Sequence, residues 1–309
     1  MNWLIYIGAF VLTFFTTTLA GVGWLNKDPF ELAYFITGLP YSLALLFVLF
    51  SHEMGHYVAA RVHKVDTTYP FFIPLPAFIG ISPFGTLGAV IKIKQRVPSK
   101  RALFDIAVSG PIAGFIASMI ILILGFTWLP AKEYLYTIHP DYAHMAQIPT
   151  GDLTFGNSLG YALAAKLFAH PGAFVPPMNE MYHYPFLCVG WFGLLVTAMN
   201  LIPVGQLDGG HISFCMFGRV YHVIAQVSLV VLVVLGLSGI LPFVGVHWMF
   251  GWLGWLFWGL LLAVMIRFGR LQHPSTEDES PIDHRRYIVG WCCWLIFIVS
   301  FSPNPLMFL

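Results

Sequence analysis

Apolar runs separated by short polar breaks fill nearly the whole chain. Seven of them approach the roughly 20 residues that a helix needs to cross about 30 Å of hydrocarbon. They fall at about residues 2–22, 39–60, 104–129, 184–202, 220–240, 247–266 and 287–309. The first run has no Lys or Arg before it, the earliest basic residue being Lys27, and lacks an A-x-A cleavage pattern. This predicts a retained helix and not a removed signal peptide.

Two connections between the runs are long. Residues 64–101 contain "PFFIPLPAFIGISPFGTLGAVIKIKQRV", which is apolar but broken at Pro70, Pro74, Pro76, Gly80, Pro83, Gly85 and Gly88. So many helix breakers exclude a spanning helix. From Val90 onward "GAVIKIK" alternates apolar and basic at the period of a half-buried strand, and "FGTLG" supplies turn glycines before it. The expectation is a β-hairpin that re-enters the membrane from the cytoplasmic side, with an edge able to pair with an extended peptide; a loop lining the interface is the alternative. Residues 130–183 include "NSLGYALAAKLFAHPG", read as a short surface helix or as structural filler. Residues 273–283 read as a polar linker.

Composition agrees with this pattern. The chain of 309 residues is 58% hydrophobic and 9% charged, against roughly 25% charged in a soluble domain, so it cannot clothe a soluble globule. A net charge of +1 is neutral on nucleic acid, but the lack of a long basic tail and of a basic stretch interleaved with stacking aromatics outside the apolar segments sets it aside as a partner. Cys188, Cys215, Cys292 and Cys293 form no CxxC pair and read as small buried hydrophobes. Basic residues are uneven: seven lie from Arg61 to Arg101, and Arg219, Arg267, Arg270, Arg285 and Arg286 share that side, while Lys27, Lys132 and Lys166 take the other. Twelve against three predicts a cytoplasmic N-terminus. The fold class is an all-α polytopic membrane protein of about seven transmembrane helices, with the hairpin between the second and third. One domain is expected over residues 1–309, with a catalytic core at about 39–212 and accessory helices at 1–38 and 213–309.

The chemistry begins in the second run. "FSHEMGHYVAAR", residues 50–61, sets His52 and His56 four apart, on one helical face, where they can grip one metal ion. Glu53 lies about a quarter turn away and can reach a water at that metal without being a ligand. By chance, HExxH arises about once in a hundred chains of this composition. Its depth adds weight: counted from Leu39, Glu53 lies about 21 Å along the helix, where an ionisable group costs at least ~2.5 kcal/mol to insert.

A catalytic metal needs a third protein ligand. In "NLIPVGQLDGGHI", residues 200–212, Pro203, Gly205, Gly209 and Gly210 are read as forbidding a continuous helix, which leaves Asp208 at the wet end of a broken one. Asp208 is preferred as third ligand and His211 is its rival. Asn200 offers a neutral amide to an oxyanion, or merely caps the helix. Asp105 reads as an interfacial residue.

HEMGH together with "NLIPVGQLDG", which fits NxxPxxxLDG, resembles the site-2 protease family of intramembrane zinc metalloproteases, in its branch without PDZ domains. "TTTLAG", "GTLGA", "SGPIAG" and "GWFGLLVTAMNLIPVGQLDGGH" agree with the resemblance. It implies one Zn2+ per chain, held by His52, His56 and Asp208, with Glu53 as catalytic base and Asn200 assisting the oxyanion. It also implies that the loop around Gly85, Thr86 and Gly88 presents substrate as an extended strand. The implied partners are the lipid bilayer and single-span membrane-protein substrates such as membrane-anchored regulators. The implied location is the cell membrane, that of a bacterial inner membrane, with the active site opening toward the cytoplasm. The 130–183 connection is too short for a PDZ domain. A metal transporter or sensor using the same His and Asp groups, or an inactive scaffold, remains a rival reading.

Overall fold

The computed structural model describes residues 3–77, 82–149, 153–246, 250–267, 276, 278 and 280–308. Helices dominate: α1 (Trp3–Gly23), α2 (Phe35–Val62), α3 (Lys100–Thr127), α4 (Glu133–Tyr136), α5 (Leu159–Phe168), α6 (Pro185–Asn200), α7 (Asp208–Phe217), α8 (Tyr221–Ser238), α9 (Leu253–Arg267) and α10 (His284–Ser300). Two antiparallel strand pairs complete it, β1 (Phe71–Pro74) with β2 (Thr86–Val90), and β3 (Leu153–Phe155) with β4 (Leu306–Phe308).

Among the described residues, four helical stretches are long and apolar enough to cross a membrane: Trp3–Gly23, Leu32–Val62, Lys100–Thr127 and Asp208–Ser238. Helices also form at the other three expected runs, but α6, α9 and α10 have 16, 15 and 17 residues. The last run is not helical to its end. Pro303 and Pro305 follow α10, and the tail turns back as β4, pairing Phe155 with Leu306.

Polarity is arranged as hydrocarbon demands. Val223, Val227, Val230 and Val234 of α8 are exposed, as are Leu4, Ile7, Val11 and Phe15 of α1, while Thr17, Ser42, Ser118 and Thr197 are buried. The threonines of "TTTLAG" return their hydroxyls to the preceding turn, Thr17 to the Thr13 carbonyl at 2.7 Å and Thr18 to that of Phe14 at 2.7 Å, so no donor is stranded. Glycines let helices touch: a Cβ on Gly38 of α2 would sit 2.1 Å from the Thr18 carbonyl oxygen of α1.

The 64–101 connection does fold into a hairpin, though its strand ends at Val90 where the sequence suggested one starting there. Alternation continues to Ile93, but only as an isolated bridge to Thr67. One face of the hairpin tracks α1. Trp3 packs on Tyr69, Tyr6 on Phe71 and Phe10 on Phe72, with ring centroids 4.8, 5.5 and 5.2 Å apart. At its tip Gly85, with φ +82°, comes so close that a Cβ would lie 2.5 Å from the Thr16 carbonyl oxygen. From Trp3 to Thr17 α1 rises about 21 Å, and the hairpin accompanies it over that length. Part of the hairpin turn, residues 78–81, lies outside the described residues.

Candidate metal centre

His52 and His56 are separated by one turn of α2, and both are buried. They are accommodated by an equal spacing on α3. A Cβ on Gly110 would lie 2.0 Å from His56 Nε2, and one on Gly114 would lie 2.9 Å from His52 Nδ1. The two glycines of "SGPIAG" thus form a cradle for the two imidazoles. The helix they belong to also orients one ring, because His56 Nδ1 lies 2.7 Å from the Ile106 carbonyl oxygen. A carbonyl only accepts, so Nδ1 carries the proton and the Nε2 lone pair faces inward.

Asp208 reaches the same point from the far end of the fold. α6 stops at Asn200, residues 201–207 turn back with Gly205 at φ +59°, and α7 begins at Asp208. Gly209 and Gly210 do not break this helix, contrary to the sequence reading. They lie within its first turn, where a Cβ would meet the Leu201 and Gly205 carbonyl oxygens at 1.9 and 2.2 Å. Bare backbone at these two positions seats α7 on the turn before it, and that contact fixes where the carboxylate points.

The three donors converge. His52 Nε2 and His56 Nε2 are 3.1 Å apart, and Asp208 Oδ2 lies 3.5 and 3.4 Å from them. Ligands in a tetrahedron with bonds of about 2.1 Å stand about 3.4 Å from one another, so the set fits a single ion of zinc's size and preference. His211, the rival ligand, lines the same cavity but is not one of the converging donors.

Glu53 is buried and lies beside the donors on the wall of a cavity of about 570 Å³. Ile91 lines the same cavity from the hairpin side. Asn200 lines the cavity too, with Nδ2 3.3 Å from His52 Nε2. Of the loop residues singled out in sequence, Gly85 and Thr86 shape the hairpin: the Thr86 hydroxyl donates to the Ile73 carbonyl at 2.7 Å, and the Gly88 N–H donates to that hydroxyl at 3.0 Å. The cavity wall itself is the next stretch, Ala89 to Ile93, part of the alternating segment that the sequence marks as a strand. Asp105 serves elsewhere, gripping Arg286 of α10 through Nε at 2.8 Å and Nη2 at 2.6 Å, and His63 Nε2 at 2.8 Å.

The model of peptidase family M50 matches residues 40–239, a stretch containing every donor of the centre. Among curated proteins, the chain is 28% identical over 302 residues to a probable chloroplastic zinc metalloprotease EGY2 of Oryza sativa subsp. indica, covering 96% of this chain and 49% of that protein. It is 28% identical over 273 residues to EGY2 of Arabidopsis thaliana, covering 88% of the chain and 43% of the relative. To the probable zinc metalloprotease EGY1 of Arabidopsis thaliana it is 33% identical over 192 residues, 59% of the chain and 30% of the relative. The chain spans about half the length of these relatives, or less. Zinc is the metal in all three names and the one that the His, His, Asp donor set fits. With a match across both halves of that donor set, this membrane-embedded chain belongs to peptidase family M50, the site-2 protease family that its motifs resemble.

Proposed function

We propose that this chain is an intramembrane zinc metalloprotease that hydrolyses peptide bonds within or near the transmembrane segments of single-span membrane proteins, such as membrane-anchored regulators, in regulated proteolysis. The observation that carries this reading is the convergence of His52, His56 and Asp208 at the wall of a cavity that Glu53 and Asn200 also line. Those three residues hold the ion. When bound, Zn2+ supplies Lewis-acid polarisation and brings the pKa of a water toward neutrality. Glu53 takes the proton of the attacking water on its carboxylate and delivers it to the leaving amine. The Asn200 amide donates to the oxyanion as the scissile carbonyl becomes tetrahedral.

A spanning substrate helix has its backbone hydrogen bonds satisfied, so it must unwind before a carbonyl can be attacked. The stretch from Gly85 through Thr86 and Gly88 to Ile93 compensates the freed amides by strand addition. Support comes from β2, which pairs with β1 on one edge only among the described residues, and from Ala89 to Ile93 on the cavity wall. The 21 Å over which the hairpin follows α1 supports its re-entry into the membrane. We take α6, α9 and α10 to complete seven spans, around a core at about 39–212 within one domain.

The cavity is lined by Lys92 and Gln95 near the C-terminal end of α2, the end rich in Lys and Arg, which supports a cytoplasmic opening and a cytoplasmic N-terminus in a bacterial inner membrane. The relatives above carry chloroplastic names, and the same basic face would orient the chain in their membrane.

The test is reconstitution in vesicles with a single-span reporter, comparing wild type, Glu53→Gln and chelator-treated protein. Cleavage by the wild type that is lost in both treatments is expected. Absence of cleavage together with ion flux that survives Glu53→Gln would overturn the reading in favour of a transporter.

A further inference from the structure

A second set of donors converges at the opposite end of the bundle, where α1 and α3 finish and α6 begins. His139 Nε2 and His183 Nε2 are 3.0 Å apart, and Glu180 Oε2 lies 3.6 Å from the first and 3.4 Å from the second. These separations match those of the His52, His56, Asp208 set and surround the same edge of about 3.4 Å expected for tetrahedral zinc. We propose that His139, Glu180 and His183 form a second divalent transition-metal site, for Zn2+, which ties three separate segments together on the side away from the protease centre.

Several observations describe a built site. Glu180 is 2% exposed and His183 is fully buried. The carboxylate is aimed: Tyr142 Oη and Asn179 Nδ2 both donate to Oε1 at 3.0 Å, while Oε2, turned to the imidazoles, is buried without a hydrogen-bond partner. Outer donors that occupy one oxygen and present the other are the usual support for a ligating carboxylate. His183 is prepared in the same way. Its Nδ1 donates to the Trp24 carbonyl at 2.6 Å, which leaves the lone pair on Nε2 directed at His139 and Glu180.

A hydrogen-bonded network without metal is the competing account. One imidazole N–H spanning the 3.0 Å gap would satisfy both ring nitrogens, but it would leave Oε2 of Glu180 buried with no donor. Among the described residues the only cationic-type partners within ion-pair distance of Glu180 are these two histidines, at 3.6 and 3.4 Å, and neither makes a hydrogen bond to Oε2. A divalent ion supplies the missing partner of Oε2.

The segments joined are the turn after α1, through the Trp24 carbonyl, the stretch between α4 and β3 that carries His139 and Tyr142, and the strap leading into α6 that carries Glu180 and His183. Among the described residues, no further His, Cys, Asp or Glu joins this donor group. The role is structural, holding the outer connection against the bundle.

The experiment is metal counting by mass spectrometry on the full chain, purified in detergent with a tag free of histidine and equilibrated with micromolar Zn2+. Two ions per chain are expected for the wild type, one for His139→Gln, one for the His52→Ala, His56→Ala double variant, and none when all three changes are combined. His139 lies toward the rim, so its variant is the one chosen to preserve folding, with size exclusion and circular dichroism as the check. As a second measurement, Co2+ added to the His52→Ala, His56→Ala protein should give the intense visible bands of tetrahedral cobalt, and Glu180→Gln should abolish them. A folded double variant that retains no Zn2+ and gives no such bands would overturn the proposal. A single ion lost with His139→Gln but kept by the double variant would sustain it while refuting the protease centre.

Discussion

Gly110→Ala tests the geometry of the protease centre without touching any ligand. The added Cβ would stand 2.0, 2.3 and 2.5 Å from Nε2, Cε1 and Cδ2 of His56, against ordinary contact at about 3.5 Å. Helix α3 has little room to retreat, because at the same crossing a Cβ on Gly55 would lie 2.4 Å from the Ser109 carbonyl oxygen and α3 also packs against α6. The imidazole must therefore move by about 1.5 Å. Metal sites tolerate ligand shifts of about 0.2 Å, so His56 leaves the donor set. A drop in Zn2+ affinity at least as large as the 10–100-fold typical of lost outer support is expected. Gly114→Ala should fall between this variant and wild type, since its Cβ meets His52 Nδ1 at 2.9 Å, and Gly8→Ala, open to within 4 Å, should change nothing. The assay is chelator competition in detergent, in a His139→Gln background so that one site is read, with thermal melts as a folding control. A folded Gly110→Ala protein with wild-type affinity would refute the cradle.

Three further outcomes follow from the same geometry. Glu53→Gln should keep its zinc while losing about 10²–10⁴-fold in peptide hydrolysis, and equal activity would remove Glu53 from the base role. Val90→Pro or Ile91→Pro should abolish cleavage with metal content unchanged, because proline removes a strand donor beside the cavity; undiminished cleavage would discard strand addition. Arg286→Ala should loosen α10 by about 1.5–3 kcal/mol, the worth of hydrogen bonds to a charged group, because it strips Asp105 of two bonds and Asp283 of one. A thermal melt that leaves Tm in place would show that this pairing does not hold the helix.

Legibility varied with the range of the interaction. The apolar runs were readable because crossing hydrocarbon is a demand on consecutive residues, and α1, α2 and α3 lie close to where the pattern puts them. The end of the last run was misjudged because Pro303 and Pro305 stop the helix while the residues around them stay apolar. Gly209 and Gly210 looked like breakers in one dimension and act as close-contact residues in three, since only the fold brings the Leu201 and Gly205 carbonyls against them.

What the sequence determined by itself is what one helical turn can fix. HEMGH places two imidazoles on one face and a carboxylate beside them whatever the rest of the chain does, and "SGPIAG" carries its two small residues at the same spacing. That these two faces meet, that a carboxylate about 150 residues later completes the set, and that Ala89 to Ile93 walls the cavity, were decided by packing between elements. The outer cluster makes the contrast sharper. Glu180 and His183 share one turn of irregular helix, but His139 lies 44 residues before His183, with no periodicity to connect them. Backbone geometry propagates over a few residues, whereas side-chain convergence over such separations exists only once the bundle has closed.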